Sequence, residues 1–129
     1  MQLELVDFPL AVELKSVGFN WETQDAFLYD GKLFPTPDAT LYLYKQNHNW
    51  REHRYSRPSL ELALKWFRDV HNLDYLIDTS GRTPKSYCIS IGDKEWLWAD
   101  ETIGKLDFPS YESAQYRLIL EFCKIISKL

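Results

Sequence analysis

Three groups of residues in this 129-residue chain have types and spacings suited to chemistry or binding. The first is the stretch 45–57, KQNHNWREHRYSR, in which Lys45, Arg51, Arg54 and Arg57 meet Glu52 alone. That is a net of +3 in a chain of −4 overall, so the remaining residues carry −7. Trp50 and Tyr55, with His48 and His53, are interleaved among the cations. Cations beside flat rings are what single-stranded nucleic acid requires, since phosphates need positive charge and bases need π-faces to stack on. The same composition suits a loop or short strand whose arginines pair with the protein's own acidic surface while Trp50 and Tyr55 pack inward. His48 and His53, five apart with Glu52 between them, match no strong metal signature.

The second group is His71, Asp74 and Asp78, at the end of a helical pattern and along the alternating segment after it. Metal binding there would need a further histidine or cysteine at ligand spacing, and none is present. Two carboxylates on a wet strand face are normally just solvated. The third group is Cys88 and Cys123, far apart, which without a secretory leader read as buried free thiols. Phosphate-cradling loops such as G-x-x-x-x-G-K-[ST] or G-x-G-x-x-G are absent, and so are G-x-S-x-G, H-E-x-x-H and C-x-x-C. The expectation is a protein that is not an enzyme and uses no cofactor or metal.

Composition sets the frame. One domain, 1–129, is expected from the length, and 45% hydrophobic with 26% charged residues is ordinary globular material. Aromatics reach 16%, with five Trp and eight Tyr. That is more than a core this size needs, so some should lie on a surface, where Trp and Tyr favour interfaces. The acidic balance argues against nonspecific nucleic-acid binding by the whole molecule, though not by a local patch. The N-terminal residues have no basic region followed by an apolar run, and no segment approaches the ~20 apolar residues of a bilayer span. A cytoplasmic protein with no membrane association is the expectation.

The elements that must position these groups follow from periodicity. Residues 58–79 are the clearest signal, a capped helix running into a strand. Ser59 is a good N-cap after Pro58, and Glu61 suits the positive helix end. Leu60, Ala63, Leu64, Phe67 and Val70 form one stripe, and Leu62 and Trp66 widen it to roughly 200°, more than one neighbour needs. This helix therefore packs on two neighbours or shows Trp66 to a partner. Leu73, Tyr75, Ile77 and Thr79 then share one strand face, opposite Asp74, Leu76 and Asp78.

A first helix is expected at 8–17, ended by Gly18 and Phe19 in a Schellman pattern. Residues 3–6 form a short strand or ordered arm. Residues 26–34 read as a hairpin around a type I′ turn at Asp30-Gly31, and a strand follows at 39–44. Residues 73–99 read as a three-stranded meander whose last strand, 95–99, places Trp96 and Trp98 on one face. A final helix begins at Pro109-Ser110 and is lined by Tyr111, Ala114, Leu118, Phe122, Ile125 and Leu129, with Arg117, Glu121, Lys124 and Lys128 opposite.

The segment Lys65-Trp66-Phe67-Arg68-Asp69-Val70-His71, after its Pro-Ser start, resembles a K-W-[LF]-R-[ED]-V-H helix found in a family of small uncharacterised proteins of Bacteroidetes genomes and their phages. The early Leu14 to Phe19 segment, a tyrosine-bearing hairpin and Tyr111 to Ala114 are similar to the rest of that layout. The resemblance implies a phage or mobile-element setting and brings no activity with it.

The fold expected is α+β, one antiparallel sheet of five or six strands with helices packed on it, in the order α-β-β-β-α-β-β-β-α. The function expected is an accessory or binding protein that engages another protein or itself through Trp66, Trp96 and Trp98. The alternative is a nucleic-acid binder using Lys45, Trp50, Arg51, Arg54, Tyr55 and Arg57. A third reading is a small enzyme built around His71, Asp74 and Asp78.

Overall fold

The structure, a computed structural model, describes residues 4–34, 45–79, 87–91 and 108–128. Three helices, α1 (Phe8–Ser16), α2 (Leu60–His71) and α3 (Tyr111–Ser127), accompany five short strands. The strands are β1 (Ala26–Leu28), β2 (Leu33–Phe34), β3 (Arg54–Ser56), β4 (Tyr75–Thr79) and β5 (Tyr87–Ile91). The expected α+β class holds, but the single sheet of five or six strands does not. The described strands form two antiparallel sheets, one ordered β2-β1-β3 and the other β4-β5. Each packs on a different helix: β3 lies against α1, and β4 and β5 lie against α3. The expected strands at 39–44 and 95–99, with Trp96 and Trp98, lie outside the described residues.

Helix ends follow their local chemistry. Asp7 caps α1 by accepting from the Leu10 amide at 3.1 Å, and Ser59 caps α2 by accepting from Leu62 at 3.0 Å. Ser110 and Ser113 close a reciprocal capping box on α3. At the end of α1 the Phe19 amide donates to Leu14 O at 3.0 Å and the Gly18 amide to Lys15 O at 3.1 Å, with Gly18 at φ +91°. Those two bonds are the expected Schellman motif. Asn72 ends α2 in the left-handed region at φ 56°.

The hairpin turn differs from the one expected. Asp30 keeps a negative φ, and among the described non-glycine residues only Asn72 has a positive one. The Gly31 amide donates to Leu28 O at 2.8 Å, the Leu28 amide donates to Lys32 O at 2.8 Å, and Gly31 sits at φ +87°. This is a three-residue loop, a type I turn followed by a left-handed glycine that forms a bulge. Asp30 completes it by accepting from the Lys32 amide at 3.0 Å.

The core gathers Leu10, Leu14, Phe19, Phe27, Leu60, Leu64, Phe67, Ile89, Leu118, Ile119 and Phe122 from all three helices and both sheets. The N-terminal arm joins it, since the Val6 amide donates to Pro58 O at 3.0 Å and Val6 is fully buried. Two stripe positions turn out otherwise than their periodicity suggests. Val70 is 51% exposed, in the last turn of α2. Glu121, placed on the polar face by spacing, is buried and held by Arg117 at 2.9 Å and Lys124 at 3.4 Å. Among the described residues no helix is long and apolar enough to cross a membrane.

Candidate functional site: an exposed cation and aromatic surface

The 45–57 stretch is pinned to the body of the protein at several points. Gln46 and Thr23 exchange backbone hydrogen bonds at 2.9 and 3.1 Å. Asn47 caps a single 3-10 turn, His48–Trp50, by accepting from the Asn49 amide at 3.0 Å. The Asn49 side chain then spans two elements: it donates to Phe19 O at 2.9 Å and accepts from the Ser56 amide at 2.7 Å. From α1, Lys15 Nζ donates to Arg51 O and Arg54 O, each at 2.7 Å, which closes the turn between them. Desolvation lowers the Lys15 ammonium below its usual value, partly opposed by Glu52. Finally β3 pairs antiparallel with β1, placing Tyr55 beside Phe27 and Arg54 beside Leu28.

This scaffold leaves Trp50 66% exposed. The Arg51 guanidinium lies over its ring at 4.6 Å. Tyr29 at the hairpin tip is 69% exposed and meets His53 edge-to-face at 6.0 Å. Leu33 of β2 and Lys45 are also exposed. Arg54 sits over Phe34 at 4.1 Å and approaches His48 Nδ1 at 3.5 Å. The result is a surface of rings and guanidinium groups on a backbone that is fixed from both sides.

The six residues expected to contact nucleic acid therefore divide. Lys45, Trp50 and Arg51 face solvent. Tyr55 is half-buried: it packs edge-to-face on Phe8 at 5.5 Å, with Lys15 over its ring. Arg57 is also structural, donating from Nε to Val6 O at 3.0 Å and lying over Phe27 at 5.0 Å. Arg54 is half-buried. The expected inward packing of Trp50 is likewise not observed, and among the described residues Arg51, Arg54 and Arg57 lie over the rings of Trp50, Phe34 and Phe27.

Trp66 is corrected as an interface residue. It is 1% exposed, donates from Nε1 to Asn20 Oδ1 at 3.1 Å, and contacts Phe19 and Phe67 edge-to-face at 5.3 and 4.9 Å. Of the two roles open to it, packing on a second neighbour is the one observed, because the turn after α1 delivers Phe19 and Asn20 to its indole. His71 rests on the same indole at 4.7 Å. Asp74 accepts from the Tyr75 amide at 3.1 Å. Among the described residues no group of three or more His, Cys, Asp or Glu is placed to hold a metal ion.

Sequence reasoning missed Lys15, Asn49 and Tyr29. Tyr29 carried a usable signal, an aromatic directly before the Asp30-Gly31 turn and so at a hairpin tip. Lys15 and Asn49 act across 36 and 30 residues respectively, which no local pattern encodes. No family model, curated protein or solved structure matches the chain.

Proposed function

We propose that this is a non-catalytic binding protein that engages another protein through Tyr29, Trp50, Arg51 and His53. The observation that carries this reading is Trp50, two-thirds exposed on a turn that Asn47, Asn49 and Lys15 hold rigid. Trp, Tyr and Arg are the residues that dominate protein-interface energetics, and a preorganised backbone avoids the entropy cost of ordering a loop on binding. Lys45 and Arg51 favour an acidic partner surface. The phage or mobile-element setting implied by the central helix belongs to the same proposal.

Binding of single-stranded nucleic acid is the second reading, favoured by the guanidinium stacked on an exposed indole. It is weakened because Arg57 and Tyr55 are half-buried and already engaged, Arg57 with Val6 O and the Phe27 ring and Tyr55 with Phe8 and Lys15. Anisotropy of labelled single-stranded oligonucleotides separates the two. Binding that falls steeply with salt and disappears in Trp50→Ala/Arg51→Glu would replace the protein-binding reading. No binding at low salt, with a protein partner retained by the wild type and lost by the same variant, supports it.

A further inference from the structure

The stretch 51–54 aims three carbonyl oxygens at one atom. Lys15 Nζ, from the last turn of α1, lies 2.7 Å from Arg51 O, 3.4 Å from Glu52 O and 2.7 Å from Arg54 O. The centroid of the Tyr55 ring is 4.8 Å from the same nitrogen. In an extended chain neighbouring carbonyls point to opposite sides, so this convergence marks a turn bent around a positive charge. Lys32, Lys65 and Lys124 each pair with a carboxylate. The charge of Lys15 is met instead by backbone dipoles and a ring face.

The arrangement matches a primary ammonium group. Such a group has three N–H donors and no acceptor, and three acceptors face it here. Without a cation, the negative ends of three carbonyl dipoles would be held together with nothing between them. A quaternary ammonium keeps the attraction to the ring but has no N–H to give. A neutral side chain of the same length offers neither charge nor donors. Arg51 supplies one of the three oxygens and also the guanidinium that lies over Trp50, so the cradle and the exposed pair share a residue.

We propose that the Arg51, Glu52 and Arg54 carbonyls and the Tyr55 ring form a primary-ammonium site, that Lys15 is its tethered occupant, and that occupancy fixes the turn presenting Trp50 and Arg51. Lys15 is thus a positioning residue, acting on the exposed pair through the turn. Its consequence for partner binding rests on the proposed role of the Trp50 surface. The state of the cradle does not, and it is measured with no partner present.

Residue-resolved hydrogen exchange of the full chain tests it. The Arg51 amide donates to His48 O at 3.1 Å and the Ser56 amide to Asn49 Oδ1 at 2.7 Å, so both report on the turn. Lys15→Met keeps the apolar stem and loses the ammonium. Both amides should then exchange about tenfold faster or more, while amides of α3 keep their wild-type rates. Lys15→Ala loses the same protection, and saturating n-propylammonium, which replaces the atoms removed, restores it. Tetramethylammonium at the same concentration does not. Wild-type protection in Lys15→Met, faster exchange that extends through α3, no recovery of Lys15→Ala in n-propylammonium, or equal recovery in tetramethylammonium each overturns the proposal.

Discussion

At the scale of single residues, two tryptophans do opposite work. Trp66 fills the space between α2 and the turn after α1, with its N–H satisfied by Asn20. Truncation there removes a large buried ring and leaves a cavity, so Trp66→Ala should cost about 3–5 kcal/mol. Trp50→Ala, at an exposed site, should change stability by no more than about 0.5–1 kcal/mol, the scale of its contact with Arg51. Urea unfolding of the two variants reads this contrast, and equal losses would contradict the assignment. The helical period alone placed Trp66 at the margin of the apolar arc and left its direction open. What decides it is Asn20, 46 positions earlier.

At the scale of elements, what is set by neighbours in sequence was legible and what is set across the chain was not. The Ser59 cap and the Gly18 Schellman end came directly from residue type. Ser59→Ala should therefore lower stability by about 0.5–2 kcal/mol. At the other end of α2, Asn72→Gly should be tolerated, because φ 56° suits glycine, whereas Asn72→Val should destabilise clearly more. Thermal melts of the three variants check the order, and an Asn72→Val protein as stable as Asn72→Gly would contradict it. The strand Arg54–Ser56 was less legible. Arg54 and the following Arg57 advertise a solvated loop, yet their guanidinium groups lie over Phe34 and Phe27, and the partner strand β1 lies more than twenty residues earlier. For the same reason the division into two sheets could not be read from alternation, which specifies faces but not which strands pair.

At the scale of the whole molecule, the interior sets an alkaline limit. Burial pushes the Cys123 thiol up from 9.0 to about 12, with Glu13 adding to it. Burial, reinforced by the hydrogen bond that Tyr116 donates to Asp7, pushes the Tyr116 phenol up from 10.0 to about 12. The folded protein therefore holds both protons in a range where the unfolded chain releases them, and loss of protons drives unfolding. Stability should be intact below about pH 9 and fall progressively toward pH 12, as melting temperature against pH will record. Tyr116→Phe should remove the tyrosine share of that fall and also the Asp7 bond. A wild-type melting temperature that stays level across this range would contradict the account.

The most direct measurement of the binding surface is site-specific photo-crosslinking in extract of the native host. A photoreactive residue replaces Trp50 in one preparation, Tyr29 in a second, and Glu112 on α3 in a third. Protein adducts shared by the first two, absent from the third and lost on adding Arg51→Glu, are the predicted result. Adducts formed equally from all three positions, adducts formed from Glu112 alone, or no protein adduct from Trp50 and Tyr29 would contradict the assignment of that surface.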